Sequence, residues 1–388
     1  MNISALNKEK CCGCALCASI CPKGAIHMTP DELGNLYPSV DEKCIDCGKC
    51  LSVCSYNGEH ELKEPIATFA ACRTDKERLT KSSSGGVFAA IAESLNLSDE
   101  WYVAGCILDE NLVPKHLVTS NKIEIEKMYG SKYVQSNIQD VYVQIKDKLK
   151  AGYKVLFSGT PCQVSAIQKY TKNHENLYTI EVICHGVTSP EMFDSYLLMY
   201  NKKQIREFIF RDKKQGWSFN NLIFYKDGRK KKINHRLSSY MTYFLNGETY
   251  RDCCYSCPFA KEMRGADLTI GDYWGIIKEK QSKGDFNSEN GVSCLLTNSE
   301  KGRFLVDLAP ITKYEVPYES IRKGNEPLNH PSTHTNRRFD VFRMWMENRN
   351  WIDVDKFFLK KDYSVMFKFW SIVPVKLQHL IRVVLGKR

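Results

Sequence analysis

The chain has 388 residues, 43% hydrophobic and 26% charged, with a net charge of +10 and 17 cysteines. That length exceeds a single small module, and the composition is that of a globular protein, not a disordered or fibrous one. No run of about eighteen apolar residues and no signal-peptide pattern occurs, so a membrane span and a disulfide framework are both unexpected, and the cysteines read as reduced, metal-binding thiols in the cytoplasm.

The first element is a pair of cysteine runs, Cys11-x2-Cys14-x2-Cys17-x3-Cys21-Pro22 and Cys44-x2-Cys47-x2-Cys50-x3-Cys54. The spacing predicts a module over residues 1–63 that carries two 4Fe–4S clusters. Each CxxCxxC triplet wraps one cube, and the fourth cysteine of each run crosses to the other. One cube is assigned Cys11, Cys14, Cys17 and Cys54; the other takes Cys44, Cys47, Cys50 and Cys21. Ser55 stands where the second run would carry its proline. Zinc also takes thiolates at CxxC spacing, but four ligands close its site, and the third step and the cross-over are left without purpose.

Glu64-Pro65 reads as a linker, after which strands and helices alternate as in an α/β domain. Ile66 to Ala71 is apolar and extended. Ser82-Ser83-Ser84-Gly85-Gly86 then leads into Val87, Phe88, Ile91, Ala92 and Leu95 at helical spacing. Trp101 to Leu108 is a strand. Ile138, Val141, Tyr142, Ile145 and Leu149 form a helical stripe that Gly152 ends. Lys154 to Phe157 is a short strand opening into Ser158-Gly159-Thr160-Pro161-Cys162-Gln163. Tyr178 to Ile183 is another, opening into Cys184-His185-Gly186, with Pro190 starting the next helix. Ligands in open α/β sheets collect beyond the carboxyl ends of the strands, so Cys162 and Cys184 are expected side by side. Ile205 to Arg211, Asn221 to Tyr225 and Lys231 to His235 read as an antiparallel extension.

A third cysteine grouping follows at Cys253-Cys254-Tyr255-Ser256-Cys257. With Cys162 and Cys184, the pair Cys254 and Cys257 would complete four thiolates for a further cluster or for zinc. Buried free cysteines that need no metal are the plainer reading. The net positive charge does not point to nucleic acid, because the basic residues are dispersed except at two places. Arg229 to Lys232 follow Asp227-Gly228, a hairpin signature, and read as a solvated strand edge. From Lys356 onward, Lys and Arg are interleaved with Phe357, Phe358, Phe367, Phe369, Trp370, Leu380, Ile381 and Leu385, and Asp362 is the one acid. This segment reads either as an amphipathic helix closing the core or as a surface for an anionic membrane or acidic partner. If it is the surface, truncation after Asp355 should leave the protein folded.

Six motifs carry a family resemblance: Ser82 to Phe88, Gly130 to Ser136, Phe157 to Gln163, Ile183 to Val187, Cys254 to Phe259 and Ala266 to Gly275. In this order they resemble the beta-subunit family of deazaflavin-coenzyme (F420) hydrogenases and dehydrogenases, and more closely its bacterial branch with a fused dicluster ferredoxin. The resemblance runs from about residue 1 to about 335. It implies a ferredoxin-like α+β dicluster module fused to an α/β domain with a mixed sheet, divided into 1–63, 66–150, 151–335 and a basic segment 336–388. It also implies an FAD and a third 4Fe–4S cluster on Cys162, Cys184, Cys254 and Cys257, leaving Cys253, Cys12, Cys72, Cys106 and Cys294 as bystanders.

Candidate FAD contacts are Ser82, Ser83, Ser84, Gly85 and Gly86 (a hydroxyl-rich turn before a helix), Lys132, Ser158, Gly159, Thr160 and His185. Gly159 is expected where the backbone approaches a ligand. As bare patterns the same residues also fit an N-cap, a surface lysine, and a histidine bonded next to a cluster ligand. Asp272 and Trp274 equally fit a turn and a core aromatic. The resulting expectation is an iron–sulfur flavoprotein oxidoreductase, acting with a redox partner protein or ferredoxin and a small organic substrate. It would be cytoplasmic, with a peripheral contact to the inner face of the membrane. The alternatives are an electron-transfer subunit without a substrate site and an accessory protein of envelope-polysaccharide assembly, the latter by family analogy alone.

Overall fold

A computed structural model describes residues 1–214, 216–277 and 290–373. In the amino-terminal module, β1 (Ile26–Pro30) and β2 (Leu36–Val40) pair antiparallel. Helices Leu16–Ile20 and Lys49–Ser52 follow the two CxxC loops, each entered through a left-handed residue, Ala15 at φ 60° and Gly48 at φ 73°. The chain leaves the module at Lys63, whose backbone N–H and carbonyl both bond to Arg264. The module is thus fastened to the central unit at the point where the linker begins.

The remaining strands are β3 (Ala67–Arg73), β4 (Trp101–Leu108), β5 (Pro114–Thr119), β6 (Lys154–Gly159), β7 (Leu177–Val182), β8 (Ile205–Ile209), β9 (Asn221–Tyr225), β10 (Lys230–Ile233), β11 (Leu268–Asp272), β12 (Ser293–Thr297) and β13 (Ile311–Glu315). Eight of them form one mixed sheet in the order β13-β3-β12-β11-β7-β6-β4-β5. β4, β6, β7 and β11 are mutually parallel. Antiparallel β12 separates β11 from β3, so β3 runs with that set, and antiparallel β5 and β13 close the two edges. Five strand carboxyl ends therefore share one side of the sheet, which is where a ligand site is expected.

The stripe Ile138, Val141, Tyr142, Ile145 and Leu149 is buried on one face of the sheet with Val155, Phe157 and Val164. On the other face Val87, Ile91, Ala92 and Leu95 pack against Ala71, Val103 and Leu156. Helical spacing of these apolar residues lets one side of each helix cover the sheet.

The antiparallel extension is a separate three-stranded sheet, β10-β9-β8, rather than part of the main one. Its buried side chains, Ile205, Phe208 and Ile223, turn toward Phe193 and Tyr196 of helix Pro190–Leu198 and Tyr240 of helix Ser239–Leu245. That aromatic core takes the strands away from the large sheet. Lys230 to Lys232 lie exposed on β10, an edge strand.

The same core receives helices Arg337–Asn348 and Trp351–Lys361, with Val341, Trp345, Trp351, Val354 and Phe358 fully buried. The carboxyl-terminal segment thus divides. Its helix Trp351–Lys361 closes the core, whereas helix Val365–Ile372 buries none of its residues. Truncation after Asp355 would remove Phe358, so the expectation that the cut chain stays folded does not survive. Leu380, Ile381 and Leu385 lie outside the described residues. Among the described residues no helix is long and apolar enough to cross a membrane.

Candidate functional site

Cys11, Cys14, Cys17 and Cys54 lie close enough to act on one another. Burial pushes Cys17 up, and Cys14, Cys11 and Cys54 push it further; burial also raises Cys11, against the pull of Arg251 and with Cys14 and Cys54 adding to the rise. In the second set Cys50 is raised by burial, and Cys44 adds to this. Cys21 packs with Cys50 in the apolar cluster that also holds Cys17 and Cys54, and Cys47 is exposed.

Several sulfurs accept N–H bonds: Cys21 from Ala25 N at 3.4 Å, Cys44 from Asp46 N at 3.4 Å and Asn2 Nδ2 at 3.6 Å, and Cys54 from Asn57 Nδ2 at 3.4 Å. Thiols that raise one another's pKa need a cation to be ionised together. Two CxxCxxC runs with a fourth cysteine each supply eight free thiols, four to each set. Zinc draws four sulfurs to about 2.3 Å of a single centre, whereas a cube of four irons spreads them. The donor set fits iron–sulfur.

Past the module lies a second set of thiols. Pro161 starts helix Pro161–Thr171 directly after β6 and sets Cys162 in its first turn. Cys184 lies two residues beyond β7, and Cys254 and Cys257 come from the turn around Asp252–Ser256. These four line one small pocket together with Cys12 and Cys253. Cys184 is pushed up by burial and then by Cys254 and Cys257, and Cys257 reaches about 11 through burial. The Cys12 thiol lies within hydrogen-bond reach of both Cys14 and Cys162. Its neighbour Cys253 donates to Cys254, which lowers Cys254 and raises Cys253.

Cys12 and Cys253, expected as bystanders, are thus in the wall of the pocket. Backbone bonds hold them there: Gln135 Nε2 donates to Cys12 O, and Tyr56 Oη donates to Cys253 O, both at 2.9 Å. Arg264 of the same pocket is ion-paired with Glu181, and both side chains are almost fully buried. Cys72 and Cys294 are buried in β3 and β12.

At the carboxyl ends of the strands opens a cavity of about 560 Å³. Ser82, Ser83, Ser84, Gly86, Lys132, Ser158, Gly159, Thr160 and His185 line it, as do Cys162 and Cys184. Gly85 does not, since its N–H is taken by Ser293 Oγ at 2.8 Å and a Cβ there would meet Ala71 O at 2.2 Å. At Gly159, which lines the cavity, a Cβ would also meet Phe157 at 2.9 Å and Gln163 at 3.0 Å, so the protein's own packing favours glycine there as well. The hydroxyls of the serine turn are committed as well. Ser83 bonds to Ser131 at 2.9 Å, and Ser84 donates to Gly271 O and Val292 O.

What this turn leaves open is the start of helix Val87–Leu95, which Gly86 enters at φ 73° with no side-chain cap. Lys132 spends its ammonium on three carbonyls, Lys127, Met128 and Tyr129, at 2.9 to 3.1 Å, and burial lowers it to about 8. Cys106 lies beside it in the cavity wall. His185 has accessible surface but is set deep in the wall, and desolvation pulls its pKa down.

Several residues of the wall carry no sequence signal as single polar groups. His116 bonds Ser158 O through Nε2 at 2.9 Å and Ser136 Oγ through Nδ1 at 3.0 Å, while Gln163 joins Ser136 to Thr160 N. This network holds the turn after β6, and burial lowers His116 to about 4, so it is neutral. Arg211 pairs with Asp272 at 2.7 Å, and Trp217 Nε1 donates to the same carboxylate at 2.8 Å. Trp217 stacks on Trp274 at 4.6 Å. Asp272 and Trp274 are therefore parts of the cavity wall.

Residues 10–58 match the 4Fe–4S dicluster domain family. Residues 152–317 match the family described as the carboxyl terminus of the coenzyme F420 hydrogenase/dehydrogenase beta subunit. No curated protein matches. Among solved structures, a chain of the F420-reducing NiFe hydrogenase complex from Methanosarcina barkeri is similar at 17% identity and a TM-score of 0.46, over 78% of this chain and 95% of that one. Residues 152–317 thus match the carboxyl-terminal family of the coenzyme F420 hydrogenase/dehydrogenase beta subunit and residues 10–58 a 4Fe–4S dicluster domain, so the chain is an iron–sulfur protein of electron transfer related to that beta subunit.

Proposed function

We propose that the chain is a flavin-dependent iron–sulfur oxidoreductase, linking 4Fe–4S clusters, one FAD and an organic hydride donor or acceptor. Bound cubes carry electrons singly and a bound flavin takes two, which is the reason to join them in one chain. One observation carries the reading: Cys162 and Cys184 line both the thiol pocket and the strand-end cavity. Thiols therefore continue from the module to the cavity wall, and in this reading Cys162, Cys184, Cys254 and Cys257 hold a third cluster.

The chain's own groups suit a dinucleotide. The uncapped first turn of helix Val87–Leu95 offers the N–H groups of Val87, Phe88 and Ala89 to a pyrophosphate. Arg211, paired with Asp272 and within hydrogen-bond reach of the Tyr133 side chain, sets a fixed positive charge in the cavity wall. His185, neutral at ordinary pH, can hold a hydrogen bond to ligand without adding charge. A redox partner protein or ferredoxin would meet the outer cube, where Cys47 is exposed.

The test is to purify the chain without oxygen, release its cofactors with acid and identify any flavin by mass. About one FAD per chain supports the reading. No flavin from protein with intact clusters makes the chain an electron wire without its own substrate site. A peripheral membrane contact is favoured by helix Val365–Ile372, which leaves Val365, Met366, Phe369 and Ile372 more than half exposed with Lys368 beside them. Flotation with anionic vesicles checks this, and equal recovery with neutral vesicles removes it.

A further inference from the structure

Arg251 is 1% exposed at the seam between the module and the central unit. Its guanidinium donates through Nε to Cys11 O at 2.7 Å, through Nη2 to Leu36 O at 2.7 Å, and through Nη1 to Gln135 Oε1 at 3.2 Å. Nη2 also reaches Cys11 Sγ at 3.8 Å, and the group lies on the Tyr37 ring at 4.0 Å. None of these partners is a carboxylate. The contrast with Arg264, which is equally buried but paired with Glu181, is direct. A buried cation is costly unless an opposite charge faces it. Besides Tyr37, the groups that act on Arg251 are the cysteines Cys11, Cys253 and Cys12, and of these Cys11 is assigned to a cube and is held by the guanidinium at both its carbonyl and its sulfur.

The two cubes thus meet different fields. Cys44 of the outer one lies by the Asp46 carboxylate, and Cys47 is open to solvent. The inner one, on Cys11, Cys14, Cys17 and Cys54, is enclosed, and enclosure alone works against adding negative charge to it. We propose that Arg251 keeps the reduction potential of this inner cube high enough for an electron to pass inward from the outer one. Cubes held by the two cysteine sets would supply single-electron transfer, the outer one oxidised as the inner one is reduced, with no proton moved. The proposal rests on the iron–sulfur relay described above and does not require FAD or the third cluster. Arg251 acts here as a positioning residue through its fixed charge and its hold on Cys11.

The experiment is an anaerobic redox titration of the holoprotein followed by electron paramagnetic resonance, with iron measured for each variant. Arg251→Gln removes the charge. Gln135→Glu leaves the bonds to Cys11 and Leu36 in place and sets a carboxylate against Nη1. In both, the midpoint of one module cube should fall by at least a tenfold change in its reduction equilibrium, about 59 mV for one electron, with the other cube unmoved. Arg251→Lys should stay near the parent. If Arg251→Gln loses iron, Gln135→Glu decides alone. Unchanged midpoints in Gln135→Glu with full iron overturn the proposal, as does an Arg251→Lys variant that falls as far as Arg251→Gln. A parent chain without iron would remove the relay itself, a separate failure read from the metal analysis.

Discussion

The thiols of the module and those of the pocket beyond it are built by different means. Cys11 to Cys54 come from two short loops whose spacing carries its own geometry, and a left-handed entry residue turns each loop into its helix. Cys162, Cys184, Cys254 and Cys257 come from three distant stretches: the first two meet because β6 and β7 are neighbours and end on the same side of the sheet, and the turn around Asp252–Ser256 brings the other two to the same pocket. A local site survives in any chain that can close the loop. A site at strand ends exists only if the whole sheet forms, and any cysteine that the fold happens to bring near can join it.

That contrast can be broken most sharply at the pocket. Under the proposed third cluster, Cys184→Ala should lose one cluster's iron and leave the two module cubes, while Cys253→Ala should retain all of it, read as iron per chain after anaerobic purification. Equal loss in both would place Cys253 among the ligands. Next in size is the carboxyl-terminal boundary. Truncation after Asp355 removes buried Phe358, with a cost of about 3–5 kcal/mol by the usual large-to-small scale, whereas truncation after Tyr363 should leave thermal stability near the parent. A folded, equally stable chain cut after Asp355 would contradict the packing of helix Trp351–Lys361.

Arg264→Met, which strands Glu181 in the pocket wall, should destabilise by about 3–5 kcal/mol in chemical denaturation. A loss below about 1 kcal/mol would mean that water reaches the pair. The smallest effect is a pH dependence. His116 is lowered from 6.5 to about 4, so the unfolded chain binds more protons between those values and stability is lost as pH falls through that window. His116→Gln should remove that part of the acid sensitivity, and an unchanged difference between pH 6.5 and 4 would show that His116 is not its source.

Much of this arrangement is legible in the sequence. Trp101–Leu108 is a strand, as expected, and Cys162 and Cys184 sit just past strand ends as the flanking apolar runs imply. Periodicity cannot say which sheet a strand will join, so β8, β9 and β10 read as an extension, whereas aromatic packing against helix Pro190–Leu198 gives them a sheet of their own. Gly159 shows a second limit. A glycine in a turn near a ligand looks the same whether the ligand or the neighbouring Phe157 forbids a Cβ. Arg251, Arg211, His116 and Gln135 are single polar residues whose meaning lies wholly in partners far along the chain. Cys12 and Cys253 fall outside the motifs because a motif counts positions, whereas the pocket admits any thiol within reach.

The module's attachments bear on tempo. Tyr142 holds Cys14 O at 2.8 Å, Lys169 holds Cys54 O at 3.1 Å, Arg251 grips Cys11 and Leu36, and the Lys63 backbone is paired with Arg264. A carrier held at so many points is no swinging arm. Solvent thickened with glycerol or sucrose should leave the internal passage of electrons untouched and slow only the encounter with an outside partner, so any lag in turnover belongs to docking rather than to travel within the chain.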